Sequence, residues 1–274
     1  MATGKIVNTV REIMMSARPA VQGKGAEKPT DTLFASGEVA EDFAFTERVA
    51  EVFDDMLSRS IPHYRTVIDG MAQLLAELLP DRATVYDLGC STGTTLLELS
   101  RCLVAKQFRY IGIDNAQAML EKARNKSAMF SKSSQLTFQQ GDITTCPMPD
   151  VAGIVCNYTM QFLRPVTRQA FVRRLYAGLP QGGVLLLSEK SIAHSSLLNR
   201  AFIGIYHDFK RQQGYSELEI AAKREALENV LVPFSLEENI AMLRQAGFGE
   251  IEVFFKWFNF SSLVAIKKDG YEPG

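Results

Sequence analysis

Val85-Tyr86-Asp87-Leu88-Gly89-Cys90-Ser91-Thr92-Gly93 decides how this chain is read. A short apolar run closes on an acid, and two glycines then flank a polar turn. Thr84–Leu88 has the length and composition of a buried strand, and the spacing predicts a helix beginning near Gly93. Glycines in such a turn let the backbone come close to a ligand, and the helix N-terminus behind them offers unpaired N–H groups. Asp87, just before the turn, can orient it through backbone N–H groups or hold an ammonium group.

The same texture repeats on either side. Arg109–Asp114 reads as strand two, with a helix from about Ala116 to Met129, and Leu136–Gln140 as strand three. Val151–Asn157 reads as strand four. Its helix runs from Pro165 to Leu179, with proline in a favourable first turn. Strand five is Val184–Ser188. Alternating short strands and helices mean βαβ units and a parallel sheet covered on both faces. Upstream, two helices lie between Phe45 and Leu79, separated by Pro62. Residues 189–233 break the alternation and read as an inserted helical segment, a candidate lid. A helix over Leu236–Gln245 stops at Gly247, and strands Glu250–Trp257 and Phe260–Ile266 are joined by a link short enough only for an antiparallel hairpin.

The expected fold is α/β. It is a Rossmann-like class I methyltransferase fold: a mostly parallel seven-stranded sheet with a terminal antiparallel hairpin, N-terminal helices and a helical insertion after strand five. Residues 31–274 form one domain in this reading. Residues 1–30 read as a poorly ordered extension, and their basic, acid-poor composition also fits a transit peptide.

Composition excludes several classes of function. With 46% hydrophobic and 22% charged residues and a net charge of -1, the 274-residue chain has the balance of a soluble globular protein. No basic excess marks a nucleic-acid surface, so direct RNA contact is not expected. No apolar run approaches a membrane span of roughly 18 residues. Cys90, Cys102, Cys146 and Cys156 include no C-x-x-C pair and there are three histidines, so no metal is expected. The cysteines read as free buried thiols of a reducing cytoplasm.

Several polar residues mark the ends of strands. Asp87 suits the amino-acid part of S-adenosylmethionine. Asp114, at the end of strand two, suits the ribose hydroxyls, or else caps the next helix. In Gly141-Asp142-Ile143, Asp142 can accept the adenine amino group, with an ordinary turn as the alternative. Asn157 ends strand four and faces the crevice where α/β folds bind ligands. Tyr64 could hydrogen-bond a ligand or belong to the core. The glycine turn fails the dinucleotide fingerprint, because Ser91 and Thr94 stand at two of its glycine positions. It matches the hydrolase pattern G-x-S-x-G literally, with Asp150 and His207 as nominal partners, but the upstream glycine-rich loop is missing.

Ser216 and Glu219 form a capping box, so a helix starts there. On it Ile220, Arg224, Leu227 and Leu231 share one face, which puts Arg224 in an apolar stripe. A guanidinium there snorkels, pairs internally or awaits an anionic ligand. Lys210, Arg211 and Lys223 are further candidates for binding substrate carboxylates, or belong to a solvated face.

The segments FTERVAEVFDDM, SRSIPHY, YDLGCS, GIDNAQAM, GDI, NYTMQFL, LSEK, HDFKRQQGYSELEIAAKREALENV and WFNFSSLVA closely resemble the carboxy-S-adenosyl-L-methionine synthase family, from about Asp31 to Lys267. The resemblance implies conversion of S-adenosylmethionine and prephenate into carboxy-S-adenosylmethionine, phenylpyruvate and water. A separate tRNA carboxymethyltransferase then uses the product to build the 5-oxyacetyl group of wobble uridine. It further implies nucleotide contacts at Tyr64, Gly89, Cys90, Ser91, Asp114, Asn115, Asp142, Ile143 and Asn157. Arg224 would bind the extra carboxylate, no general base is assigned, and the chain would be a cytoplasmic homodimer. An ordinary small-molecule methyltransferase and a non-catalytic nucleotide-binding module are the competing readings.

Overall fold

The computed structural model describes residues 30–37, 43–130 and 134–268. The extension expected over residues 1–30 lies outside them except for its last residue. Two helices open the fold, α1 (Glu47–Ser60) and α2 (Tyr64–Leu78). The Thr46 side chain caps α1 by accepting a hydrogen bond from the Val49 N–H at 3.4 Å. The alternating units follow: β1 (Thr84–Leu88), α3 (Thr94–Cys102), β2 (Arg109–Asp114), α4 (Gln117–Met129), β3 (Leu136–Gln140), β4 (Val151–Asn157), α5 (Pro165–Gly178) and β5 (Val184–Ile192). The insertion carries α6 (Ser196–Gln212) and α7 (Glu217–Leu227). The chain closes with the short β6 (Phe234–Ser235), α8 (Leu236–Ala246), β7 (Glu250–Trp257) and β8 (Phe260–Ile266).

Seven strands run in the order β3-β2-β1-β4-β5-β8-β7, and β6 pairs with the end of β5. β1 through β5 pair in parallel, and β8 runs antiparallel to both β5 and β7. This is the expected sheet with its terminal hairpin.

Strand alternation divides the core into two layers. Val85 and Leu186 face Ile68, Met71 and Leu75 of α2 and Leu96 of α3. Tyr86, Leu88 and Leu187 face Phe171 and Leu175 of α5 and Met242 and Leu243 of α8. A third cluster packs Val49, Phe53 and Met56 of α1 on Met119 in the first turn of α4. The chain leaves β1 toward β2 and leaves β4 toward β5. Adjacent strands whose chains diverge in this way open a crevice at their carboxyl ends.

Two expectations need correction. β5 extends to Ile192 instead of ending at Ser188, because β8 pairs along it as far as Lys190–Phe260 and Ser191 N–H donates to Asn259 O at 2.8 Å. The insertion therefore begins after residue 192. The cysteines are all free, but only Cys90 and Cys156 are buried, while Cys102 is exposed. The capping box stands: Ser216 Oγ accepts from Glu219 N–H at 3.2 Å, and Glu219 Oε2 accepts from Ser216 N–H at 2.8 Å.

Long-range polar ties hold the insertion. Lys223 Nζ lies 3.4 Å from Asp31 Oδ2 and 2.9 Å from Ser60 Oγ, and the Tyr215 hydroxyl donates to Asp31 at 2.5 Å. Arg168, 1% exposed, donates to Leu163 O, Gln161 O and Val232 O at 3.0, 3.1 and 2.7 Å, joining the end of the insertion to the segment after β4. Among the described residues no helix is long and apolar enough to cross a membrane.

Gly112 of β2 sets a tight contact. A Cβ there would lie 2.7 Å from Cys90 Sγ and 2.8 Å from Phe138. Gly112→Ala should therefore lower unfolding free energy by about 1–3 kcal/mol in a denaturant titration. An unchanged midpoint would show that Cys90 moves aside freely.

Candidate active site

A cavity of about 720 Å³ fills the crevice between the carboxyl end of β1, the segment after β4 and the insertion. That is within the range of small-molecule sites. The turn at its floor is sterically specified. Gly89 has φ +78°, and a Cβ there would sit 2.2 Å from Thr159 Cγ2, so backbone takes the place a side chain would fill. Ser91 and Tyr158, both lining the cavity, hold left-handed φ values of 50° and 61° without being glycine.

Asp114 lines the cavity and binds two backbone N–H groups beside it. Oδ2 accepts from Ser91 N–H at 2.8 Å and Oδ1 from Ala116 N–H at 2.9 Å, so the carboxylate fastens the glycine turn to the start of α4 while lining the cavity. Asn115 lies beside it on the wall, as do Asp142 and Ile143. Thr144 donates its N–H and hydroxyl to Asp142 at 2.8 and 2.7 Å, and these bonds hold the carboxyl below its usual range. On the other side Asn157 Nδ2 donates to Thr95 Oγ1 at 3.1 Å, and the Tyr64 hydroxyl meets the same oxygen at 3.2 Å. Tyr64 thus stands at the wall, not only in the core.

Asn157 Oδ1 and Asp87 Oδ1 are among the buried oxygens without a hydrogen-bond partner in the described residues. Burial, and then the neighbouring Asp114, push the Asp87 carboxyl up to about 8. Asp87 is 1% exposed and does not line the cavity, so the direct ammonium contact expected of it is absent from the geometry. Asn157 Oδ1 and the backbone cradle at Gly89 fit a ligand bearing ammonium or hydroxyl donors, as S-adenosylmethionine does.

The opposite side of the cavity carries basic residues. Lys190 from β5, His207 and Lys210 from α6, and Arg224 from α7 all line it. Desolvation and the other cations push the Lys210 ammonium down to about 7. Desolvation also lowers Lys190 and His207, with Arg224 adding to both effects.

Of the settings open to Arg224, the structure gives a cavity wall. The face of α7 turned to the core carries Ile220, Ala222, Lys223 and Ala226. Arg224 is exposed, and it lines the cavity together with Leu227 and Leu231. The apolar stripe exists but is a cavity wall, and α7 ends at Leu227, before Leu231. Lys223 also lines the cavity but is buried and paired with Asp31, whereas Arg211 pairs with Asp208 and Glu217 and is not among the lining residues. The hydrolase arrangement does not assemble. Asp150 precedes β4 and pairs with Arg109, at the sheet end opposite Ser91, whose Oγ points to Met119 Sδ at 3.4 Å.

Local pattern does not single out Lys190, because only the pairing with β8 extends β5 through it. His207 and Tyr206 lay in a helix whose cavity-facing side no local pattern marks. Glu189 was likewise missed. It is 2% exposed, accepts from Met160 N–H at 3.0 Å, and burial pushes it up to about 8.

The pH dependence follows from these groups. A carboxyl raised in the folded state binds a proton there that the unfolded chain has lost. Its stabilisation is full below an unfolded value of about 4 and disappears as pH rises through about 8. Asp87 and Glu189 therefore make stability fall across that window. Lys210 and His207, lowered on folding, act with the opposite sign, so the informative quantity is a difference between proteins. Between about pH 5 and about pH 6.5 the Asp87→Asn, Glu189→Gln double variant should show a less negative slope of unfolding free energy against pH than the parent. Equal slopes would mean that both carboxyls are ionised in the fold.

Known proteins bear on this geometry. A family profile described as a methyltransferase domain matches residues 85–183. Among solved structures, human N-acetylserotonin methyltransferase in complex with SAM superposes with a TM-score of 0.58 at 16% identity, covering 97% of this chain and 66% of that one. The YcgJ protein of Bacillus subtilis gives 0.57 at 17%, covering 75% and 100%. These likenesses establish the fold. Closer relatives are the carboxy-S-adenosyl-L-methionine synthase of Desulfotalea psychrophila, 56% identical over 86% of this chain and 97% of the relative, and that of Wolinella succinogenes, 48% identical over 86% and 98%. At that identity over nearly the full length of its relatives, this chain belongs to the carboxy-S-adenosyl-L-methionine synthase family.

Proposed function

We propose that the chain converts S-adenosylmethionine and prephenate into carboxy-S-adenosylmethionine, phenylpyruvate and water. The observation that carries this reading is Arg224, whose guanidinium lines the cavity with no carboxylate partner among the described residues. A pocket that only donates methyl groups gains nothing from a cation near a sulfonium. A pocket that makes a carboxylated sulfonium does, and the planar guanidinium fork matches a carboxylate. The names of the relatives support the same conclusion.

When bound, S-adenosylmethionine supplies a sulfonium methyl group acidified by the adjacent positive sulfur. The chain's part is binding and enclosure. Gly89, Cys90 and Ser91 offer backbone to the amino-acid end, with Asn157 and Tyr64 opposite. Asp114 and Asn115 take the ribose, and Asp142 and Ile143 the adenine. Asp87 lies buried just before the turn. Phe43, Phe45 and Phe53, which line the cavity, keep water away from carbon dioxide released as the prephenate ring aromatises. No side chain is assigned as general base. The enzyme acts in the cytoplasm as a homodimer, makes no direct contact with RNA, and hands its product to a separate tRNA carboxymethyltransferase for wobble-uridine 5-oxyacetyl modification.

The test is to denature purified protein and weigh the nucleotide released. The expected species is heavier than S-adenosylmethionine by one carboxyl group. Arg224→Ala should weaken retention of that species by about 10- to 100-fold, the worth of a charge-assisted hydrogen bond, and leave S-adenosylmethionine affinity near the parent value. Release of only S-adenosylmethionine or its demethylated form, with no phenylpyruvate made from prephenate, would favour an ordinary methyltransferase.

A further inference from the structure

We infer that Lys190 and Lys210 form a second carboxylate-binding subsite, distinct from Arg224, that holds a dianionic co-substrate by its two carboxylates. The inference rests on the reaction proposed above and names the residues that would recognise its second substrate.

The two ammonium groups, from different elements, both lie over one aromatic ring. Lys190 stands on the last part of β5, and Lys210 near the end of α6. Their Nζ atoms lie 5.0 and 4.8 Å from the centre of the same Tyr206 ring. The ring itself is fixed, because its hydroxyl donates to Ser60 O at 2.9 Å and its face meets Phe260 at 5.1 Å. Both lysines line the cavity, and Lys210 is only 5% exposed.

Neither lysine has an acidic partner among the described residues, in contrast to the nearby cations. Lys223 has Asp31, and Arg211 has Asp208 and Glu217. Glu228 also lines the cavity but pairs with neither lysine. Buried ammonium groups that repel one another and lack a counter-charge cost free energy. Such an arrangement is a recognised mark of a functional site, where an incoming anion supplies the missing charge. The depressed Lys210 ammonium is consistent with that deficit.

The surroundings fit the rest of such a molecule. Phe260, Tyr158 and Ile203 give apolar and aromatic walls beside the lysines, suited to a six-membered carbon ring. Arg224 remains free for the carboxyl group of the product. The two carboxylates of the dianion would thus meet two cations, and the carboxyl group of the product a third.

The experiment uses the full chain loaded with S-adenosylhomocysteine, which lacks the reacting methyl group. Prephenate is titrated into the parent protein and into Lys190→Met, Lys210→Met and Arg211→Ala, and turnover is followed separately as phenylpyruvate formation with S-adenosylmethionine. Each lysine variant should bind prephenate about 10- to 100-fold more weakly, with S-adenosylhomocysteine affinity within about two-fold of the parent and Arg211→Ala unchanged. Lys210→Arg should recover part of the loss, and thermal melts establish that each variant is folded. Parent-like prephenate binding by both methionine variants, or an equal loss of the nucleotide, would overturn the subsite. A parent that binds prephenate but forms no phenylpyruvate would sink the synthase reading while leaving the subsite standing, and a parent that binds none would sink both.

Discussion

The close approach of two strand ends at Gly89 is the contact from which the site is built. With no Cβ between it and Thr159, the carboxyl end of β1 reaches the segment after β4, and the crevice between diverging strands acquires a backbone floor. Asp114 then fixes that floor by accepting from Ser91 and Ala116. Gly112 allows Cys90 to sit against β2. The polar atoms that could meet a nucleotide inherit their positions from this packing, which is why a buried and unpartnered Asn157 Oδ1 is tolerated there.

Charge is sorted across the cavity. The sheet side presents Asp114 and Asp142, while the β5 end and the insertion present Lys190, Lys210, Lys223 and Arg224, with Glu228 among them. In a space poorly screened by water, such polarity orients a ligand that carries positive charge at one end and negative charge at the other. A sulfonium nucleotide and an organic dianion would be drawn to opposite sides and meet in the middle. The insertion can hold cations firmly because Asp31 and Tyr215 grip α7 through Lys223, one residue from Arg224.

Most of the fold could be read from local pattern because its signals are local. The β1 turn, the alternation of apolar strands with helices, the Ser216–Glu219 box and the short β7–β8 link each reside within a few residues. The sheet half of the site followed for the same reason, since strand ends and glycine turns mark it. The cationic half did not. Lys190 belongs to β5 only through its pairing with β8, some seventy residues away in sequence. For Arg224 the pattern names the face of its helix but leaves its surroundings open, because a stripe of leucines looks the same whether it meets the core or a cavity wall. Asp87 shows the reverse. Its position before the turn suggested ligand contact, yet packing buries it behind the wall.

The cysteine in the glycine turn gives the fold its own gauge of occupancy. Cys90 is 5% exposed, and burial pushes its thiol well up, whereas Cys102 is exposed on the surface. A thiol-modifying reagent meets Cys102 at the surface but reaches Cys90 only by way of the cavity wall, so the two thiols label at different rates. Anything that grips the turn slows the inner thiol and leaves the outer one untouched. Filling of the nucleotide cradle can therefore be followed in the native chain by the protection of one sulfur atom, without reference to the chemistry performed there.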